Sequence, residues 1–314
     1  LLFQYGYVLL IMLREGHIHT ETITYSSNKI KDYFQLVKPN LSFLVVFSSV
    51  IGYLLAPNAK FEWAQILLLF LGGSLVTSGA NVINQILERN SDKLMKRTAG
   101  RPLPDGRMAV SEAVVLSTVT SLAGFAIMYF GFNPLAALLS VISSVVYGFI
   151  YTPMKRIHPI CILIGAIPGA LPPLIGWTAA TGTLFEVSDF GGWSLFLIQF
   201  FWQFPHFWAI AWVGYEDYLK AGMRMLPSRE GKTSFTGLQC MFYSITLIPL
   251  VLIPYALGIT GRTGMWLSIL LGFLYFMASF NFYLKNDKVS AKKLMYASFI
   301  YLPVVLIVLL FDKI

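Results

Sequence analysis

The sequence predicts an all-α polytopic membrane protein with nine transmembrane helices. Three observations carry that prediction. Hydrophobic residues make up 56% of the 314 and charged residues only 12%, against roughly 25% charged in soluble domains. A soluble fold of this length cannot hide so much apolar surface, so lipid must solvate much of it. Secondly, the apolar runs, such as Ile66–Leu75 and Leu302–Phe311, are continuous and do not alternate at period two. Backbone groups in lipid need internal partners, which leaves helices or closed barrels, and the missing alternation selects helices. Thirdly, Lys and Arg alternate between successive loops.

The spans read as 40–57, 63–88, 109–130, 133–151, 160–180, 192–214, 235–259, 264–284 and 294–311. Pro, Gly or charge marks most breaks: Pro57-Asn58, Gly131–Pro134, Thr152-Pro153, Gly258–Gly264, and the loops 89–108, 181–191, 215–234 and 285–293. With these spans, 20 of the 23 Lys and Arg fall on one side, and only Lys60, Arg262 and Lys313 on the other. One missed or extra span would scramble that split. The positive-inside rule then puts the N-terminus in the cytoplasm and the C-terminus outside. It also accounts for the net charge of +8 without a nucleic-acid partner.

Residues 1–13 are apolar but shorter than the roughly 20 needed to span, and no small-residue cleavage site follows. A chain opening on Leu1 suggests a mis-called start, an alternative start codon or a fragment. Residues 1–36 are expected to form a partly disordered cytoplasmic leader, with the membrane domain over 37–314. Cys161 and Cys240 lie in separate apolar segments with no CxxC pairing, and read as small buried hydrophobes. A disulfide is neither implied nor excluded.

The second span ends on a polar stripe. Asn81, Asn84, Glu88 and Asp92 are spaced three, four and four apart, which stacks them on one helical face. A charged group within a span costs at least ~2.5 kcal/mol and usually faces a cavity. Either carboxylate alone reads equally well as a helix end at the headgroups; the four-residue stripe does not. Oxygen ligands at this spacing suit Mg²⁺, which takes one or two carboxylates and completes its shell with water and substrate phosphates. Lys96, Arg97 and Arg101 follow, and Arg matches phosphate oxygens in bidentate fashion. Acid, metal and guanidinium side by side read as a diphosphate site, although any one of these basic residues also serves as a topology signal.

The sixth span repeats the theme on the same side of the membrane. Gln199, Gln203, His206 and Asp217 share a face if the helix continues, and Lys220, Arg224 and Arg229 follow. The two segments suggest a diverged internal repeat with half-sites across one cavity. His206 reads three ways: proton donor, heme ligand or satisfied core histidine. His158, in a loop beside Lys155 and Arg156, reads as solvated.

Three stretches then carry a family resemblance. NQILERNSDKLMKRTAGRPL (84–103), YTPMKRIHPICILIGAIPGALPPLIGW (151–177) and PHFWAIAWVGYEDYLKAGMRMLPS (205–228) occur in order. They resemble signatures of the protoheme IX farnesyltransferases (heme O synthases), a family of the UbiA superfamily of intramembrane prenyltransferases. The likeness runs over about residues 36–311. It implies a UbiA-type bundle around a central cavity, and transfer of a farnesyl group from farnesyl diphosphate to a vinyl group of heme B, with addition of water, giving heme O. Heme B would be substrate and not resident cofactor.

Carried over residue by residue, Asn84, Glu88 and Asp92 would hold a Mg²⁺–diphosphate. Asp217, with Glu216 beside it, would serve the second acidic site. Arg97, Arg101, Lys155 and Lys220 would contact diphosphate, Tyr151 would line the pocket, and His206 would bind heme or handle a proton. A heme A synthase is a candidate partner beside the lipid bilayer. The leader lacks the Arg- and Ser-rich character of a transit peptide, which points to a bacterial cytoplasmic membrane.

Departures from the wider superfamily fall at Glu88, where many members have Asp, and at Ala221, where a second Asp four residues after Asp217 is usual. A third is Asn40, where a basic residue often stands. The alternatives are a prenyltransferase acting on a quinone precursor or chlorophyllide, and a transporter. The run from Arg97-Thr98 to Arg101-Pro102 with Gly222–Pro227 favours heme.

Overall fold

The structure, a computed structural model, describes residues 29–57 and 59–314. Most of the expected leader therefore lies outside the described residues. Its last part forms a short helix, α1 (Lys29–Val37), docked through buried Asp32 and Leu36. Helices α2 (Pro39–Leu55), α3 (Trp63–Asp92) and α4 (Val110–Gly131) follow. Next come α5 (Pro134–Val145), α6 (Cys161–Thr181) and α7 (Phe190–Val213). A six-residue α8 (Tyr215–Lys220) precedes α9 (Ser234–Leu250) and a four-residue α10 (Ile253–Ala256). The chain closes with α11 (Arg262–Lys285) and α12 (Lys288–Phe311).

Among the described residues, eight helical segments are long and apolar enough to cross a membrane, which makes this a multi-pass membrane protein. Helix α7 has 24 residues but is not among those eight; Gln199, Gln203 and His206 interrupt its apolar sequence. Large apolar side chains such as Phe130, Leu284 and Phe311 stand exposed on the outer surface, where lipid takes the place of water. Neighbours in sequence pack as neighbours in space from α2 through α7, then α7 with α9, α9 with α11 and α11 with α12; α12 packs on both α7 and α2, which closes the bundle.

Helix α6 lies deepest, and its packing explains its glycines. A Cβ on Gly176 would fall 1.7 Å from the Ser49 carbonyl oxygen, and one on Gly52 2.0 Å from that of Pro173. The backbones of α2 and α6 therefore touch, as small residues permit between membrane helices. Three prolines stand within α6, at 168, 172 and 173. Pro172 and Pro173 lack the N–H groups that would bond the carbonyls of residues 168 and 169. Neighbouring helices supply the missing donors: Ser143 Oγ donates to Pro168 O (3.2 Å) and Gln199 Nε2 to Gly169 O (2.7 Å).

The ends of the bundle sort as the sequence alternation requires. At one end Lys313 Nζ donates to the carbonyls of Leu54 and Ala56, and Gly261 N to Asp312 O. The residues of the acidic and basic motifs gather at the other.

Candidate active site

Helix α3 does not stop at residue 88, where the second span was expected to end, but continues to Asp92. The extra turn carries the stripe inward: Asn81, Asn84, Glu88 and Asp92 are all buried, Asp92 completely. Their partners divide the stripe in two. Asn81 Nδ2 donates to Val37 O (3.3 Å), and Gln85 Nε2 to Leu36 O (2.6 Å). Both amides thus tie α1 to α3 and are structural. The other three side chains meet polar groups brought in from the loops.

Asp92 Oδ2 accepts from Arg101 Nη1 at 2.7 Å, within the non-helical segment that follows α3. Glu88 Oε1 lies 2.9 Å from Lys155 Nζ. Asn84 Nδ2 donates to Thr152 Oγ1 (3.1 Å), which donates in turn to Tyr147 O (2.9 Å). Lys155 and Thr152 arrive here because α5 runs on through a π-helical turn, Val146–Tyr151. Such turns re-aim side chains and recur at functional sites. The turn sets Tyr147 and Tyr151 with ring centroids 5.5 Å apart and lays the Tyr151 ring under Lys155 Nζ at 4.6 Å. A Cβ on Gly165 would sit 2.6 Å from that ring, so glycine is what lets Tyr151 lie against α6. Burial works against the charge on Lys155, but Tyr151, Glu88 and Tyr147 outweigh it and hold the amine above its ordinary range.

The second acidic motif closes the same mouth. Helix α7 breaks at Gly214, so Asp217 stands on the separate α8 and not on the face of Gln199, Gln203 and His206. Arg97 Nη2 donates to Tyr218 OH (3.1 Å) and lies within electrostatic reach of both Asp92 and Asp217. Arg224 N donates to Lys155 O at 2.8 Å, which joins the two loops. Lys220 is exposed and forms no ion pair among the described residues. Gln203 Nε2 donates to Ala166 O (3.0 Å), and with Gln199 on Gly169 O both glutamines of α7 brace α6. His206 is held by Ser298 on α12.

Lys38 joins the cluster without having been singled out as a site residue. It lies within electrostatic reach of Arg101, Lys155, Glu88 and Asp92. Its backbone is left-handed, φ 50°, directly before Pro39, a conformation that costs a non-glycine residue of order 1–3 kcal/mol and tends to persist at working sites. The Lys-Pro pair on the basic side of the first span was the available signal. Thr152 and Tyr218 lie within the resembling stretches 151–177 and 205–228 but have no spacing that marks them, and Tyr147 lies outside those stretches; only the fold brings the three together with the cluster.

Beneath this mouth is a cavity of ≈ 270 Å³ between α2, α3, α5, α6, α7 and α12. Its wall is mostly apolar and aromatic, with Phe47, Trp202, Phe207 and Phe299 among its residues, and Tyr147, Tyr151 and Asn81 stand towards the polar end. Asp92 Oδ1 is buried and accepts no hydrogen bond among the described residues. That orphaned oxygen, with Glu88 and Asn84 at four-residue intervals before it, fits a hard divalent cation such as Mg²⁺. No group of three or more His, Cys, Asp or Glu able to hold a metal occurs among the described residues.

A membrane-embedded helical bundle, with a cluster of buried carboxylates and cations adjoining an apolar chamber through Tyr151, defines a class: proteins that receive a lipid-like molecule with a charged head. Comparison with known proteins then gives the family. The UbiA prenyltransferase family profile matches residues 45–302. The protoheme IX farnesyltransferase of Cytophaga hutchinsonii is 44% identical over 291 residues, 92% of this chain and 99% of that protein. A solved structure of digeranylgeranylglyceryl phosphate synthase superposes with a TM-score of 0.75 at 23% identity, covering 91% of this chain and 98% of that one. A UbiA homologue from Archaeoglobus fulgidus, bound to DMAPP and Mg²⁺, superposes with a TM-score of 0.65 at 16% identity, over 88% of this chain and 99% of that one. The chain belongs to the UbiA prenyltransferase family, among the relatives named protoheme IX farnesyltransferase.

Proposed function

We propose that this chain transfers the farnesyl group of farnesyl diphosphate to a vinyl group of heme B, with addition of water, to give heme O. The observation that carries the proposal is a largely apolar chamber adjoining a charged cluster: Tyr151 in its wall lies against Lys155, which pairs with Glu88, so that tail and head of one ligand would each meet a matching surface. Kinship with proteins named protoheme IX farnesyltransferase supports the choice of reaction.

In this reading Arg97, Arg101, Lys155 and Lys38 bind the diphosphate. As the allylic C–O bond breaks, negative charge gathers on the departing diphosphate, and these cations are already in place to meet it. Asn84, Glu88 and Asp92, with Asp217 across the mouth, would hold Mg²⁺, which when bound neutralises charge on the leaving group. Ala221 leaves the far half-site short of one carboxylate relative to the superfamily pattern. Lys220, exposed at the rim, meets the diphosphate on its way in. The walls of the chamber shield the farnesyl cation from premature capture by water, and the faces of Tyr147, Tyr151 and Trp202 favour positive charge beside them. The vinyl group of heme B attacks that cation. Water adds at the remaining vinyl carbon, and one proton is released.

The site faces the cytoplasm of a bacterial cell, nine spans cross its cytoplasmic membrane, and a heme A synthase is a candidate recipient of the product. The test is expression in cells lacking heme O synthase, with extracted hemes separated by chromatography. Heme O is the expected result. Heme B alone, with the protein stably inserted, refutes the proposal, and a prenylated quinone precursor or chlorophyllide in its place would reassign the acceptor.

A further inference from the structure

At the chamber wall, helices α7 and α12 are joined at Ser298. Trp202 Nε1 donates to the Ser298 carbonyl at 2.9 Å, and His206 Nδ1 meets Ser298 Oγ at 2.7 Å. A third contact decides which way the second bond runs. Ser298 Oγ also lies 2.5 Å from the carbonyl oxygen of Met295, which can only accept. The single hydroxyl proton is therefore committed to Met295. Ser298 Oγ can then meet His206 only as an acceptor, so Nδ1 carries the ring proton. A neutral imidazole has one N–H and one lone pair, which leaves the lone pair on Nε2.

Nε2 has no hydrogen-bond partner among the described residues, and His206 is part of the chamber wall. The ring is locked in place. Trp202 stacks on it at 4.6 Å with planes 22° apart, and Phe299 and Phe207 stand edge-on at 5.1 and 5.3 Å. None of these neighbours is charged. A buried imidazole with one nitrogen tied to a fixed acceptor and the other bare is the arrangement seen in metal-ligating histidines, where the second bond sets both tautomer and ring orientation.

We infer that His206 Nε2 ligates the iron of a metalloporphyrin substrate, and that Ser298 is the positioning residue that keeps Nε2 unprotonated and aimed into the chamber. The inference rests on the proposed function and deepens it. A porphyrin is a broad, largely apolar disc with one electrophilic centre, and the rest of this wall offers it aromatic and aliphatic surface with hydroxyls and amides among it, His206 being the sole imidazole among the described lining residues. A single fixed bond to iron would set where the disc lies, and so which vinyl edge is presented to the farnesyl cation at the polar end. It would also favour heme over the metal-free porphyrin.

The test uses the full chain, purified in detergent and loaded with heme B. The wild type should show the absorption and electron-paramagnetic signature of histidine-ligated heme, with hyperfine structure that changes when the protein is ¹⁵N-labelled at histidine. His206→Ala should lose that signature and regain it with added imidazole. Ser298→Ala should keep the heme but shift its spectrum and weaken binding ~10-fold, the lower end of what outer-shell partners of a metal ligand contribute; Ser298→Thr should restore both. The inference is overturned if the wild-type spectrum carries no histidine signature. It is equally overturned if His206→Ala gives the wild-type spectrum, including the case where turnover is lost, which would make His206 a proton-handling residue. Failure of the wild type to bind any heme would instead overturn the proposed function, and this inference with it.

Discussion

Replacing Arg101 by Ala separates what the site does for stability from what it does for chemistry. Asp92 and Arg101 are paired at 2.7 Å but unequally buried: the Asp92 side chain is 1% exposed and that of Arg101 24%. Among the described residues, Arg101→Ala removes the sole partner of Oδ2 while Oδ1 already has none. Stranding a buried charge in this way costs ~3–5 kcal/mol. Lys38 and Arg97 stay within electrostatic reach of Asp92, so the lower figure applies. About 3 kcal/mol is over ~100-fold in the unfolding equilibrium. Asp92→Ala strands only the guanidinium, which reaches solvent, and should cost ~1 kcal/mol. The double variant Asp92→Asn/Arg101→Gln should recover most of the stability and none of the heme O formation. Denaturant unfolding of the detergent-purified proteins, followed by tryptophan fluorescence, measures the first quantity, and heme chromatography the second. If Arg101→Ala unfolds at the wild-type denaturant concentration, or Asp92→Ala is just as unstable, the burial of this pair is not what holds the end of α3.

Three further outcomes are expected. Gln199→Leu leaves the Gly169 carbonyl, already freed by Pro173, without its 2.7 Å donor; it should cost ~1–3 kcal/mol by denaturant midpoint, and adding Pro173→Ala should return most of that. Asp217→Asn, at a half-buried residue that forms no ion pair within 4.0 Å among the described residues and feels Arg97 only at longer range, should lower heme O formation ~100-fold and leave the unfolding midpoint in place, whereas full activity would remove Asp217 from the site. Stripping divalent cations with EDTA should stop turnover and Mg²⁺ should restore it, because diphosphate departure needs charge that the cations of the chain supply only in part; turnover unaffected by EDTA would argue against a metal at Asp92.

The sequence by itself determined the solvent, the helices and the end of the bundle at which the motif residues gather. Continuous apolar runs need helices in lipid, and the Lys and Arg alternation put residues 84–107, 152–156 and 215–234 at one end, where the fold gathers them. Helical periodicity also found Asn84, Glu88 and Asp92, because spacing alone stacks them. Periodicity went no further, since it says which side chains share a face but not what that face meets. Asn81 and Gln85 lie on the same buried helix as Glu88 yet tie down α1. Gln199 and Gln203 carry the same amide as one another and satisfy carbonyls of a proline-broken neighbour. His206 read three ways, and only the fold sets it against Ser298, 92 residues away. Lys38 and Lys155 entered the site through a strained backbone and a π-helical turn, departures from regular geometry that no repeat in the sequence announces. Composition and period follow from each residue's contact with lipid or water, which is local. The partner of a buried polar group is set by packing between helices far apart in the chain, and only the tertiary structure decides it.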